Sequence, residues 1–184
     1  TVVSTTLTLS DVEGDTIASA TASISANFVS GQDVLSFTPS GSITGSFDAG
    51  TGVLTLSGTG TTTEYQTVLR SVTYVNNSDD PSGAARTISF TATDSLGLTS
   101  GIASATVNVT PVNDAPLNAV TTSQVVLHSF TGTPLTGLSI ADVDAGDATN
   151  LTATLAASDA ASITIGSLSG GSTGGVSGGA TIAG

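Results

Sequence analysis

Alternation of small, β-branched and polar residues over short runs constrains this chain more than any other feature of its sequence. In runs such as STTLTLS (4–10), ASATASISANF (18–28), GVLTLSG (52–58) and RTISFTATD (86–94), apolar residues recur at every second position. That period of two is typical of a strand with one buried face and one solvated face. Turn residues, including 22 glycines, separate the runs. The pattern predicts an all-β fold of short strands arranged as a β-sandwich.

One segment has a different period. In the stretch 62–75, Tyr65, Val68, Leu69 and Val72 follow the i, i+3, i+4, i+7 spacing of one helix face. The spacing predicts a single helical turn that leads into a strand. No run approaches 18 apolar residues, so the sequence predicts no segment that spans a membrane.

The charge balance restricts the partners of the chain. It carries 14 acidic residues against Arg70 and Arg86, and its net charge is −12. Nucleic acid requires a basic face, and an anionic membrane surface repels a chain of this charge, so neither is an expected partner. Cysteine is absent, which excludes a disulfide framework and a thiol enzyme. A cation is the partner that such a surface favours.

The sequence also lacks the motifs and residue spacings that are typical of catalytic sites. His128 is the one histidine, no G-x-S-x-G motif occurs, and the His and Cys spacings of a zinc site are absent. Paired carboxylates could serve glycoside hydrolysis, but the chain has no tryptophan and few aromatic residues to line a sugar cleft. The sequence therefore predicts a protein that is not an enzyme.

An acidic turn occurs twice in the chain. LTLSDVEGDT at 7–16 aligns with LSIADVDAGDAT at 138–149 after one inserted residue. The aligned pairs are Leu7 with Leu138, Leu9 with Ile140, Asp11 with Asp142, Glu13 with Asp144, and Asp15 with Asp147. A repeat of this kind indicates two copies of one structural unit.

A proline-bounded segment, PVNDAP at 111–116, separates the two copies. It predicts a first domain over 1–112, a linker over 113–116 and a second domain over 117–184. The position of the acidic turn within each copy predicts that the first domain lacks its first strand and that the second lacks its C-terminal part. We therefore expect the chain to be a segment of a longer repetitive polypeptide.

Several segments resemble the cadherin-like repeats of giant bacterial surface proteins, including repeats-in-toxin adhesins. They are LTLSDVEGDTIASATASI, GQDVLSFT and VNVTPVNDAP in the first copy, together with the stretch TGVLTLSG to LGLTS, and GLSIADVDAGD in the second. The resemblance covers most of residues 7–116 and is weaker beyond them. It implies tandem Greek-key β-sandwiches of cadherin or immunoglobulin type, with Ca²⁺ bound between successive domains.

The resemblance also implies a set of ligands. Asn113 and Asp114 match the linker step, Asp142 and Asp144 match a D-x-D pair, and Asp94 matches a late-strand aspartate. Glu64, Asp79 and Asp80 are weaker candidates for ligands from a preceding domain. The complete set of predicted metal ligands is Asp11, Glu13, Asp15, Asp94, Asn113, Asp114, Asp142, Asp144 and Asp147.

Calcium chemistry suits these residue types, because Ca²⁺ takes six to eight oxygen ligands in a flexible shell. On an extended segment, a D-x-D pair would place both carboxylates on one side and the intervening Val12 or Val143 toward the core. The plain alternative is a solvated acidic loop, since Asp and Gly are ordinary turn residues. Asp33, Asp48 and Asp159 are predicted to be surface residues without a role.

The expected function is that of a calcium-stabilised structural or adhesive segment of a long extracellular bacterial surface protein. Its expected partners are neighbouring repeats, copies of itself, and cell-surface or matrix components in adhesion or biofilm. The alternative is a self-assembling subunit of an extracellular filament or surface layer, completed by strand exchange between copies. A carbohydrate-binding or ice-binding module ranks third, because the Thr residues follow no fixed motif.

Overall fold

The computed structural model describes residues 1–120 and 138–144. The chain divides into two compact units, Thr1–Pro111 and Val112–Gly184, each of which is described by itself. Sequence predictions that concern His128, Asp147 and Asp159 lie outside the described residues.

Unit 1 is built almost entirely from antiparallel strands. A five-stranded sheet has the order β3-β4-β1-β6-β7, and β2 pairs with β5 in a separate two-stranded sheet. The elements are β1 (Ile17–Ala26), β2 (Asp33–Ser36), β3 (Thr44–Asp48), β4 (Val53–Gly60), α1 (Thr62–Arg70), β5 (Thr73–Asn76), β6 (Arg86–Asp94) and β7 (Ala103–Val107). In the described part of unit 2, β8 (Leu117–Val120) pairs antiparallel with β9 (Leu138–Ala141). The all-β prediction is thus confirmed.

The core of unit 1 lies on one face of the five-stranded sheet. Along β6 every second residue from Arg86 to Asp94 is buried, and β1 buries Ala20, Ala22 and Ile24 in the same alternation. Side chains from α1 and from the two-stranded sheet join these residues in a single cluster. The period of two in the sequence therefore indicates on which face of the sheet each side chain lies.

The helix α1 is longer than the single turn that the sequence predicts. Thr61 caps its N-terminus, since the Thr61 hydroxyl accepts the Glu64 N–H and the Glu64 carboxylate accepts the Thr61 N–H at 2.7 Å. These bonds form a capping box. The hydrogen bond from the Thr61 N–H also lowers the pKa of Glu64. Tyr65, Val68 and Leu69 are buried, so packing of this face extends the helix to nine residues.

A β-bulge between β1 and β4 is held by the helix. Ile17 pairs with Gly60 and Ser19 with Ser57, so two residues of β4 oppose the single residue Ala18. The Tyr65 hydroxyl lies within hydrogen-bond distance of the carbonyl oxygens of Gly58 (2.6 Å) and Ala18 (3.1 Å). One buried phenol thereby reaches two carbonyl groups at the irregularity of the strand ladder.

The segment 4–10, predicted as a strand from its alternation, forms no regular strand. Its backbone groups bond to side chains of α1 instead. The Arg70 Nε donates to the Leu7 carbonyl at 2.7 Å, and the Gln66 Oε1 accepts the Leu9 N–H at 3.0 Å. The prediction is wrong here because the neighbour of this segment is a helix, which offers no ladder of backbone groups.

A buried polar network joins the two sheets of unit 1 at the end opposite to the start of β1. Asp33, at 1% exposure, accepts hydrogen bonds from the Tyr74 hydroxyl (2.5 Å), Asn76 Nδ2 (2.6 Å) and the Val29 N–H (2.8 Å). Arg86 is fully buried, and its Nε lies 3.3 Å from Asp33 Oδ2. The prediction that Asp33 is a surface residue is therefore wrong. Asp33 and Leu35 both face inward from β2.

The network shifts two pKa values. Burial by itself raises the pKa of Asp33, but the hydrogen bonds that it accepts outweigh burial and hold the pKa below its ordinary value of 3.8. Burial, followed by the hydrogen bond to Asp33, raises the pKa of Tyr74 to about 12. The carboxylate is thus kept ionised and the phenol neutral over the physiological range.

Acid is therefore expected to destabilise unit 1 through Asp33. Because its pKa is lower in the folded state, the stability that the ionised carboxylate contributes is present above its ordinary pKa and is lost as the pH falls through the folded value. We expect the free energy of unfolding to fall below about pH 4, and to fall less steeply in Asp33→Asn. Urea denaturation at a series of pH values measures both slopes. Equal slopes in the two proteins would contradict the prediction, and the exposed Asp79→Asn is the matched control.

Candidate metal centre

Three carboxylates converge at the end of unit 1 where β1 begins and β6 ends. Asp11 and Asp15 lie in the loop before β1, and Asp94 is the last residue of β6. One carboxylate oxygen from each lies within 4.8 Å of the others. The register brings them together, because Ile17 pairs with Asp94 and the Ser95 N–H donates to the Thr16 carbonyl at 2.8 Å.

Backbone N–H groups orient two of these carboxylates. Asp11 Oδ1 accepts the Asp15 N–H at 2.9 Å, which closes the turn. Asp94, at 7% exposure, accepts the N–H groups of Leu96 and Leu98 at 2.8 and 2.9 Å on its Oδ1. The second oxygen of Asp11 and of Asp94 receives no hydrogen bond from the described residues, so both remain available as ligands.

The arginines of the chain are engaged elsewhere. Arg86 pairs with Asp33, and the Nε of Arg70 donates to a backbone carbonyl. Three carboxylates this close repel one another by about 1 kcal/mol per pair in water, and by more where water is partly excluded. A hard divalent cation would remove that repulsion, and three carboxylates are the donors that it prefers. The residues present therefore fit a Ca²⁺ ion in their chemistry.

The middle of the acidic turn differs from the prediction. Glu13 is exposed and does not belong to the group of three. Val12 is 96% exposed and Val143 is 42% exposed, so the expectation that these valines point toward the core is wrong. Residues 12–13 form a bend, and the alternation of an extended strand does not apply there. Asp11 is accordingly brought near Asp15, four positions on, instead of Glu13.

In unit 2 the structure places the predicted linker residues beside the second acidic turn. The Asp114 N–H donates to Asp144 Oδ2 at 2.6 Å, and the Asp144 N–H donates to Asp142 Oδ1 at 3.1 Å. Asn113 Nδ2 donates to the Asp114 carbonyl at 3.0 Å. These contacts bring Asp114, Asp142 and Asp144 together, and they order the turn through backbone groups.

The weaker ligand candidates Glu64, Asp79 and Asp80 do not belong to the group of three carboxylates. The carboxylate of Glu64 completes the capping box of α1. Asp48, which was predicted to be a surface residue and not a ligand, is exposed and accepts the Gly50 N–H in the turn between β3 and β4. Asp79 and Asp80 lie between β5 and β6, at the end of unit 1 opposite to the group of three carboxylates.

The chain was compared with protein-family models, with curated proteins and with solved structures, and no match was found in any of the three. Within residues 1–120 and 138–144, no helix is both long enough and apolar enough to cross a membrane.

Proposed function

We propose that this chain is a calcium-stabilised structural segment of a long extracellular bacterial surface protein, built from tandem Greek-key β-sandwiches and serving adhesion or biofilm. The observation that carries the proposal is the convergence of Asp11, Asp15 and Asp94 from two separate stretches of sequence. The resemblance of the sequence to cadherin-like repeats supports it. In this proposal the protein is not an enzyme.

The chemistry of the donors favours calcium over a transition metal. Cysteine is absent and the single histidine, His128, lies far from this group in sequence, so the soft ligands that select zinc or copper are missing. Extracellular calcium modules bind with a Kd of about 10⁻⁴ to 10⁻³ M, which suits a site that fills outside the cell. When bound, the ion would tie the loop before β1 to the end of β6.

Calcium is expected to raise the thermal stability of unit 1. At about 10 mM calcium, Kd values in the extracellular range correspond to about 1 to 3 kcal/mol of stabilisation, a rise of several degrees in Tm. Tyrosine fluorescence follows unit 1 alone, because both tyrosines, Tyr65 and Tyr74, lie there and the chain has no tryptophan. Melting curves of the full chain in excess EDTA, in calcium and in magnesium measure the effect.

The double variant Asp11→Asn with Asp94→Asn should abolish the rise. Asparagine keeps an Oδ1 that accepts the same backbone N–H groups, so the turn is retained while two charges are removed. Asp48→Asn removes an aspartate at the opposite end of the sheet and should leave the calcium response unchanged. A Tm that is identical in calcium and EDTA would refute the proposal for unit 1.

A second candidate is the self-assembling filament or surface-layer subunit, and one observation favours it. An open cleft of about 240 Å³ lies beside β6 and β7, lined by side chains that include Leu7, Phe90 and Ala105. One sheet of unit 1 has only two strands against five in the other, and strand exchange would add a strand to the smaller one. Light scattering over a range of concentrations tests this candidate. A monomer at all concentrations would contradict it.

A further inference from the structure

The outer face of the five-stranded sheet in unit 1 carries hydroxyl side chains almost without interruption. The residues that contribute them are Thr44 and Ser46 of β3, Thr55, Ser57 and Thr59 of β4, Ser19, Thr21, Ser23 and Ser25 of β1, Thr87, Ser89, Thr91 and Thr93 of β6, and Ser104 and Thr106 of β7. Val53 and Asp48 lie opposite each other toward one corner of this face. We call this surface the hydroxyl face.

The strand register aligns these residues in rows that cross the sheet. One row consists of Thr44, Ser57, Ser19, Thr93 and Thr99, and the next row consists of Ser46, Thr55, Thr21 and Thr91. Every position in both rows is Ser or Thr. Neighbouring strands lie about 4.8 Å apart, and alternate residues along a strand lie about 6.8 Å apart. The Thr residues follow no fixed motif in the sequence, but the register gives them a regular order in two dimensions.

Hydrogen bonds between hydroxyl groups of neighbouring strands fix the positions of several of these side chains. The Oγ1 atoms of Thr21 and Thr91 lie 2.8 Å apart, and the Oγ atoms of Ser25 and Ser89 lie 2.7 Å apart. Branching at Cβ restricts the χ1 angle of the threonines further. Because its side chains are already ordered, the hydroxyl face loses little conformational entropy when it binds another ordered surface.

Charge is nearly absent from the hydroxyl face, although the whole chain has a net charge of −12. Among residues 1–120, Asp48 is the one acidic residue that lies on this face, at the end of β3. Both arginines lie elsewhere, since Arg86 is buried in the core and Arg70 belongs to α1. The hydroxyl face therefore meets water through neutral hydrogen-bonding groups and through the methyl groups of its threonines.

The geometry points to the hydroxyl face as a surface that binds ice. Ice is uncharged and rigid, and the oxygens of its surface repeat at distances comparable to those between neighbouring strands and between alternate residues of a strand. Each hydroxyl group can donate a hydrogen bond to a water of that surface or accept one from it. Because neighbouring strands are rotated by about 20 to 25°, the contact is centred on β4, β1 and β6. The inference does not depend on the proposed calcium site.

Other occupants fit the hydroxyl face less well. Sites for small molecules such as sugars are concave and lined by apolar and aromatic side chains. The aromatic residues of the five-stranded sheet, Phe47 and Phe90, pack toward the core instead. The cores of protein interfaces are enriched in aromatic residues, Met and Arg, and the hydroxyl face carries none of these. Regularly spaced neutral hydroxyl groups without an aromatic platform match ordered water better than a sugar or a protein partner.

Slow growth of ice from a dilute solution of the full chain tests the inference. A protein that binds ice is taken into the crystal, whereas other solutes are excluded from it. We expect the ratio of protein in the ice to protein in the remaining liquid to be severalfold higher for the wild-type chain than for serum albumin. Thr55→Lys places a long charged side chain at an exposed position of the second row and should lower the ratio to that of albumin. Ser36→Lys introduces the same side chain at an exposed position of β2, in the other sheet, and should leave the ratio unchanged.

Each outcome decides the inference. Exclusion of the wild-type chain from ice would overturn it, and so would equal ratios for the wild-type chain and Thr55→Lys. Melting curves followed by tyrosine fluorescence establish that unit 1 of each variant is folded. If Thr55→Lys unfolds, Ser46→Lys replaces it, since Ser46 lies in the same row on the edge strand β3. Binding of the wild-type chain to a glycan array, lost in Thr55→Lys and without uptake into ice, would overturn the inference in favour of a carbohydrate ligand.

Discussion

Replacing Asp33 by alanine is expected to lower the free energy of unfolding of unit 1 by about 3 to 5 kcal/mol. The substitution leaves the Arg86 guanidinium fully buried without its counter-charge, and it removes the acceptor of the Tyr74 hydroxyl and of Asn76 Nδ2. Arg86 keeps its bonds to the carbonyls of Ser82 and Ala84, but its Nη2 is buried and has no hydrogen-bond partner among the described residues. An uncompensated buried charge dominates the cost.

Urea denaturation followed by tyrosine fluorescence measures this loss. The double variant Asp33→Ala with Arg86→Met should recover most of it, because removing both charges of a buried pair costs far less than removing one. Asp79→Ala, at an exposed position between β5 and β6, is the control for loss of an aspartate and should change stability by less than about 0.5 kcal/mol. A small effect of Asp33→Ala, or a double variant that is less stable than the single one, would contradict this account.

Gly58→Ala is expected to destabilise unit 1 by about 3 to 5 kcal/mol, through two effects that add. Gly58 has a φ of +122°, which side chains of L-residues rarely adopt. A Cβ at this position would also lie 2.3 Å from the Ser42 carbonyl oxygen, so the backbone must move. That movement would displace the Gly58 carbonyl from the Tyr65 hydroxyl at the β-bulge.

A second glycine separates the two effects. Gly31 has a φ of +83°, and no atom lies within 4 Å of the position of its Cβ. Gly31→Ala should therefore cost only the backbone strain, about 1 to 2 kcal/mol. Denaturant unfolding of both variants under the same conditions gives the comparison. Equal losses for Gly58→Ala and Gly31→Ala would mean that the close approach to Ser42 contributes nothing to the constraint.

The sequence predicted which acidic residues belong to the candidate site, but it did not predict how they are arranged. The repeat singled out Asp11 and Asp15 as acidic positions, and the resemblance singled out Asp94. The expected partner of Asp11 was Glu13, which assumes an extended backbone. The bend after Asp11 and the hydrogen bond from the Asp15 N–H bring Asp15 close instead. The backbone conformation of the residues after Asp11 determines which carboxylate lies near it, and the periodicity of the sequence does not predict that conformation.

Asp33 is a second residue whose environment could not be predicted fully from the sequence. A single aspartate in a strand of four residues has the sequence signature of a surface position. Its burial depends on Tyr74, Asn76 and Arg86, which lie 41, 43 and 53 residues further along the chain. The inward direction was available from sequence, because Asp33 and Leu35 share one face of β2. The pairing with Arg86, which makes the burial of Asp33 tolerable, could not be predicted from the sequence.

Local patterns in the sequence were enough to predict the all-β class, the inner face of each long strand, the position of the helix and the two acidic turns. These follow from local periodicity and turn chemistry, which act over a few residues. Three features became evident from the folded chain alone: which carboxylates meet, the packing of segment 4–10 against a helix, and the pairing of Asp33 with Arg86. Those outcomes depend on strand register and on contacts between residues far apart in sequence. A register shift of one residue would turn Asp94 away from Asp11 and Asp15 while leaving every local pattern unchanged.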